Sequence, residues 1–162
     1  MKINRQTIPL NKEVPFGGDI DFSNAKFDPL FLRGIASCHV EGTAFQTDKI
    51  LRLTINIIAK VIAISAYTLK DVPFTIRVSD ELVFSDDRED DTAIYEEKNI
   101  FDVDDYVLGI ILSHIPNKVV GKGEKLPPSG EGYRIMTEEE YLQEKEKKPD
   151  PRWEKLDSVK IK

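Results

Sequence analysis

Few side chains in this sequence could act as a nucleophile or a general base. Its 162 residues include one cysteine and two histidines. Cys38 and His39 are adjacent, and neighbours on a strand point to opposite faces, so they cannot pair as nucleophile and base. His114 lies in an apolar helical pattern, where a histidine is more often a hydrogen-bonded buried or edge residue than a general base. We therefore predict a protein that is not an enzyme, with no catalytic residue and no cofactor.

The excess negative charge is concentrated in one segment. Residues 81–105 hold 2 basic and 11 acidic side chains, whereas residues 1–80 hold 10 and 8 and residues 106–162 hold 11 and 10. Clustered like charges indicate a solvated, mobile loop, here over 85–98. The other interpretation is an acidic arm that engages a basic partner or mimics nucleic acid. Its central carboxylates are Asp86, Asp87, Glu89, Asp90 and Asp91.

Basic side chains in the predicted strand region could gather on one face and contact RNA, which requires cationic and often aromatic groups together. Scattered lysines on strand edges are, however, usually solubilising residues. A phosphate-contacting mode would make affinity fall steeply with salt. The candidate contacts are Lys49, Arg52, Lys60, Lys70 and Arg77, with Lys118, Lys122 and Lys125 in the following linker.

Hydrophobic periodicity predicts at least four strands and one apolar helix. Residues 37–46, 50–64, 74–78 and 81–84 read as strands because they alternate and are rich in β-branched residues. Residues 99–116 predict a helix capped by Asp102, ended before Pro116 and buried on more than one side. The predicted fold is α+β: an antiparallel sheet, open or barrel-like, packed on one central buried helix, with a helical C-terminal tail.

The N-terminal arm is too apolar for a free tail. We expect a short strand over 2–8, a turn at Gly17-Gly18 and a packed segment over 27–32, with Asp28-Pro29 as a helix start.

Composition divides the chain into three parts. Residues 1–120 form the predicted core domain, 121–136 a Gly/Pro-rich linker and 137–162 a charged helical tail. Thr137 begins a capping box for one tail helix, in which Glu144 pairs with Lys148, and Asp150-Pro151-Arg152-Trp153 begins a second. The single cysteine, the missing secretion signal and the absence of a long apolar run favour a soluble, cytoplasmic protein without membrane contact.

Several short motifs, taken in order, resemble the YceD-like family of large-ribosomal-subunit RNA accumulation proteins. They are Pro15-Phe16 with Asp21-Phe22-Ser23, Val40-Glu41-Gly42-Thr43-Ala44, the helix pattern Asp102, Asp105, Ile110-Ile111-Leu112 and Ile115-Pro116, and Asp150-Pro151-Arg152 followed by Leu156. Each motif is short, and the ordered set carries the resemblance.

The sequence departs from the family pattern at its cysteines. Many members carry Cys-x-x-Cys where Ser65 and Thr68 stand here, and a second cluster where residues 117–132 contain no cysteine. Thiolate-bound zinc needs four suitably placed ligands, so we predict no metal site and a cysteine-free variant of the family. The charged residues that family helices often carry near the middle are replaced by Leu108 and Gly109.

The resemblance implies a non-enzymatic factor that supports accumulation of large-subunit ribosomal RNA and ribosome assembly. Its partner would be the precursor RNA, a ribosomal protein or both. The alternative is a small-ligand-binding or protein-interaction domain with no RNA contact. The sequence leaves the oligomeric state open.

Overall fold

Long antiparallel strands dominate the first part of the chain. The computed structural model describes residues 1–28 and 32–147, which divide after Gly121 into two compact units. The strands are β1 (Lys2–Asn4), β2 (Glu13–Ile20), β3 (Leu32–Gln46), β4 (Ile50–Ile64), β5 (Asp71–Ser85), β6 (Ile94–Tyr95) and β7 (Ile100–Asp102); the helices are α1 (Asp104–Ser113) and α2 (Glu138–Lys147), with a 3-10 turn at Arg5–Thr7.

The main sheet has the order β2-β3-β4-β5-β6, and β1 and β7 form a separate antiparallel pair. Pairing in the main sheet is antiparallel except for short β6, which runs parallel to β5. The α+β class is confirmed. The barrel-like option is wrong, because β2 and β6 are the two edges of an open sheet.

Strict alternation in β4 gives the sheet two different faces. Odd-numbered residues from Leu51 to Ala63 are buried, and even-numbered residues from Arg52 to Lys60 are exposed. The register aligns the exposed residues of β4 with exposed or half-buried residues of β5, such as Asn56 with Ser79. We call the buried surface the inner face and the exposed surface the outer face. β-Branched residues favour this extended conformation, and burial of the apolar row stabilises it.

Helix α1 contributes to the same core as the inner face. Val107, Ile110 and Ile111 are buried in this core, whereas Leu112 is 37% exposed. The expectation of burial on more than one side therefore fails at Leu112. At the N-terminus, the Asp102 carboxylate accepts the Asp104 N–H at 3.1 Å, although the residue in the cap position is Val103.

Two predictions for the N-terminal arm are wrong. The strand from residue 2 ends at Asn4, where the 3-10 turn begins. Gly17-Gly18 is no turn but lies within β2, and a Cβ at Gly17 would stand 2.9 Å from the Val40 carbonyl oxygen of β3. Glycine is required at position 17 because β2 and β3 approach each other closely there, and not because the chain turns.

The second unit contains α2, which begins with a reciprocal capping box. Glu140 N–H donates to Thr137 Oγ1 at 3.1 Å, and Thr137 N–H donates to a Glu140 carboxylate oxygen at 2.9 Å. Glu144 forms an ion pair with Arg134. Four predicted features lie outside the described residues: Lys148 as the partner of Glu144, the helix start at Pro29, the segment 29–31 and the second tail helix. Within the described part of the chain, no helix is long and apolar enough to cross a membrane.

Candidate functional site

Three of the predicted cationic residues lie on the outer face. Arg52 and Lys60 come from β4 and Arg77 from β5, and all three are exposed. Arg77 is opposite Ile58 and Lys60 is opposite Thr75. Lys60 and Arg77 are therefore diagonal neighbours about 7–8 Å apart. Arg52 is eight residues along the strand from Lys60, or roughly 26 Å.

Carboxylates on the outer face offset much of this positive charge. Arg52 Nε lies 3.6 Å from a Glu81 carboxylate oxygen, and Arg33 Nε lies 3.3 Å from Asp71. His39 Nδ1 lies 2.7 Å from Asp19. Such exposed pairs contribute little to stability, but they leave a surface of mixed sign on which Lys60 and Arg77 form only a local cationic pair.

Two other predicted cations lie at the two ends of β4. Lys49 lies in the β3–β4 turn and Lys70 in the β4–β5 turn, at opposite ends of a 15-residue strand. Such a strand is roughly 50 Å long. Lys118 Nζ lies 5.0 Å from the centre of the Tyr67 ring, at the Lys70 end. Lys122 and Lys125 belong to the second unit. Lys49 and Lys70 are therefore too far apart to share one contact surface of ordinary size.

The acidic segment forms a loop that we call the acidic loop (86–93). The residues that flank its two ends pair with each other, so the loop has a closed base. Parallel pairing aligns Ser85 with Tyr95, and Glu96 N–H donates to the Ser85 carbonyl at 2.8 Å. The two ends of the loop are thus fixed side by side on β5. Compact surface loops with adjoining ends are frequently functional.

Side chains of the acidic loop hold its backbone in successive turns. Asp87 Oδ1 accepts Glu89 N–H at 3.0 Å, and Asp90 Oδ1 accepts Thr92 N–H at 3.0 Å and Thr92 Oγ1–H at 2.6 Å. These bonds to Thr92, first from its side chain and then from its backbone, lower the pKa of Asp90. Carboxylates commonly close turns this way, so the loop is more regular than clustered charge alone predicts.

Three other carboxylates project from these turns. Asp86, Glu89 and Asp91 are exposed, and they have no ion-pair partner among the residues that the structure describes. The one cation in the run, Arg88, lies over the Tyr95 ring at 4.8 Å. The acidic loop therefore presents negative charge that attracts cationic groups and repels phosphate.

Ser65 and Thr68, the positions at which the resemblance implies cysteines in other members, lie in a hydrogen-bonded turn. Ser65 is fully buried, and its Oγ accepts Tyr67 N–H at 3.1 Å and Thr68 N–H at 3.2 Å. Ala66 N–H donates to the Val119 carbonyl at 2.8 Å, which joins this turn to the chain after α1. No group of three metal-ligating side chains occurs in the described ranges. The term cysteine-free is wrong for the chain as a whole, since Cys38 is present.

The residues considered as catalysts lie apart. Cys38 is 2% exposed on the inner face, and burial raises its pKa to about 11. His39 is exposed on the outer face. His114 is an exposed residue at the end of α1, and its Nδ1 lies 2.9 Å from the Ile110 carbonyl oxygen. The absence of enzymatic activity stays a prediction.

Sequence reasoning missed one cavity of about 160 Å³ at the Lys49 end of β4. It is lined by Arg5 and Asn99 as well as by residues around the β3–β4 turn, including Gln46. These residues are far apart in the sequence and form no local motif. The polar Gln46 at the end of an alternating strand was the available signal.

The geometry defines a small α+β protein with an acidic loop and without a metal cluster among its described residues. Residues 53–160, more than half of the chain, match the family model described as large ribosomal RNA subunit accumulation protein YceD. The chain therefore belongs to this family. The matched range begins in β4, so the motifs before residue 53 lie outside it. No curated protein and no solved structure gives a significant match.

Proposed function

We propose that this protein is a non-enzymatic, cytoplasmic factor that supports accumulation of large-subunit ribosomal RNA and ribosome assembly. Family membership over 53–160 supports this role. The buried face of α1 and the inner face of the sheet serve as the scaffold. Neither Cys38 nor His114 has the surroundings of a nucleophile or a general base, which favours a binding role over catalysis.

The acidic loop is the surface through which the protein engages its partner in this proposal. The observation that carries it is the exposure of three carboxylates, those of Asp86, Glu89 and Asp91, on a loop with a closed base. Proteins that bind ribosomal RNA use cationic surfaces to neutralise phosphates. An acidic surface complementary to such a protein holds it while its RNA site is unoccupied. The favoured partner is therefore a basic ribosomal protein of the large subunit.

Direct RNA binding has weaker support. Lys60 and Arg77 are the adjacent exposed cations on the outer face, and acidic groups such as Glu41 and Glu81 share that face. A surface of mixed sign releases few counterions from a phosphate backbone and so gains little affinity.

A complementation experiment tests this proposal. Cells that lack the gene should lose large ribosomal subunits and large-subunit RNA relative to small subunits, and the full chain should restore both. A variant with Asp86→Asn, Glu89→Gln and Asp91→Asn should restore less, because it removes three loop charges and keeps the carboxylates that close the turns.

The matched control removes three exposed carboxylates elsewhere, by Glu13→Gln, Glu41→Gln and Glu131→Gln, and should restore the profile fully. An unchanged profile in the deletion strain would overturn the ribosomal role. Full restoration by the loop variant would overturn the acidic loop as the contact. Crosslinking of this protein to RNA, and not to a ribosomal protein, would overturn the ribosomal protein as the proposed partner and identify RNA in its place.

A further inference from the structure

The cavity near Arg5 contains buried polar atoms that lack partners. Arg5 Nε and Nη2 and Gln46 Oε1 are buried, and they make no hydrogen bond within the described part of the chain. Leaving such atoms unpaired is unfavourable, and most so for a charged group. Both side chains line the same cavity.

The unpartnered atoms of Arg5 form one edge of its guanidinium group. Nε–H and the adjacent Nη2–H point in parallel directions, and this pair matches two oxygens of a carboxylate or phosphate. The flat face of the guanidinium group makes a different contact: Arg5 Cζ lies 5.8 Å from the centre of the Phe101 ring. A cation–π contact occupies the face of the guanidinium and leaves its in-plane donors available.

Both signs of charge line the rest of the cavity. The lining residues include Lys49 and Asn99, whose side chains carry donors, and Asp48 and Asp86, whose side chains carry carboxylates. A polyanion would meet repulsion from both carboxylates. A small ligand with an oxyanion at one end and a donor at the other would match the lining.

We propose that this cavity binds a small oxyanion that also carries a hydrogen-bond donor, such as the carboxylate and ammonium of a free α-amino acid or the oxygens and hydroxyl of hydrogen phosphate. Arg5 binds the oxyanion through its Nε and Nη2 edge, assisted by Lys49. Gln46 Oε1 and the two carboxylates accept from the donor. The cavity of about 160 Å³ suits a ligand of this size and is smaller than the 300 Å³ or more typical of larger organic ligands. This inference shares Asp86 with the acidic loop but does not rest on the ribosomal role, because its test measures ligand binding by the purified chain.

The test follows the arginine Nε–H signals of the ¹⁵N-labelled full chain by NMR during titration with glycine, inorganic phosphate or acetate at constant ionic strength. The Arg5 signal should shift saturably with glycine or phosphate, with a dissociation constant of about 1 mM or tighter. Acetate, which has no donor, should bind more weakly. The response to glycine against phosphate identifies which of the two oxyanions the cavity prefers.

Two variants and a control complete the test. Arg5→Lys keeps the charge but removes the paired donors, and should weaken binding at least tenfold. Lys49→Ala changes an exposed turn residue and should weaken binding at least twofold in a protein whose core is unaltered. Arg52→Lys, on the outer face, should change nothing.

Absence of a saturable Arg5 shift, or equal linear shifts at Arg5 and Arg52, would overturn the site even if Arg5→Lys failed to fold. Affinity for acetate equal to that for glycine and phosphate would overturn the role given to Asp48 and Asp86.

Discussion

The Phe84 side chain joins the sheet to elements that follow the acidic loop. It is fully buried near the end of β5. Its ring centre lies 4.7 Å from that of Phe101 in β7 and 5.2 Å from that of Tyr106 in α1. Phe84→Ala should lower the free energy of unfolding by about 3–5 kcal/mol through lost burial and the remaining cavity. The two ring contacts, worth about 0.5–1.5 kcal/mol each, place the effect in the upper half of that range.

Urea unfolding followed by circular dichroism measures this loss. Phe45→Ala is the control, since Phe45 is only half-buried on the outer face, and should cost about 1 kcal/mol. Phe84→Leu keeps most of the apolar volume, so it remains folded and should lose about 1–2 kcal/mol. A loss below about 1 kcal/mol for Phe84→Ala would refute the packing of β7 and α1 on β5.

Three further changes test local features of the fold. The buried Cys38 thiol has a pKa of about 11 against about 9 when unfolded, so between pH 9 and 11 the unfolded state loses its proton first. The free energy of unfolding of the parent, measured by urea denaturation, should fall over that window by about 2–3 kcal/mol relative to Cys38→Ala, and parallel pH dependences of the two proteins would contradict the burial. Gly42→Ala would place a Cβ 2.0 Å from the Thr54 carbonyl oxygen, whereas Gly34 has open space. Gly42→Ala should destabilise the protein by about 1–3 kcal/mol and so lower its melting temperature, whereas Gly34→Ala should not. Equal melting temperatures for the two variants would refute the close β3–β4 approach. Ser65→Ala removes the acceptor for two N–H groups and should cost about 1–2 kcal/mol, with amide exchange accelerated at Thr68; unchanged exchange would refute the turn.

Sequence periodicity predicted the elements whose burial is one-sided and regular. β4 alternates without interruption, and the strand is present over the predicted range 50–64. The break expected between residues 78 and 81 is missing, because pairing with β4 holds Asp80 and Glu81 in one continuous strand. Periodicity reports which side chains are buried but not how many strands pair, which is why the open sheet could not be told from a barrel.

The candidate site was less accessible from sequence because it depends on contacts between distant residues. Composition located the acidic loop, but its closed base depends on the pairing of Ser85 with Tyr95. Five candidate cations were predicted for the strand region. Arg52, Lys60 and Arg77 lie on strands and Lys49 and Lys70 in the turns between them, but their distribution along β4 and their carboxylate neighbours required the register. The cavity at Arg5 joins the 3-10 turn, the β3–β4 turn and the segment before β7, and no local pattern predicts such a meeting.

The most direct test of the central claim is the ribosomal particle profile of cells that carry the loop variant Asp86→Asn, Glu89→Gln and Asp91→Asn in place of the parent chain. We predict fewer large subunits and less large-subunit RNA, with small subunits unchanged and the variant protein present at parental levels. A profile identical to that of the parent would contradict the assignment of the acidic loop as the working surface. If complete removal of the gene also left the profile unchanged, the ribosomal role itself would be refuted.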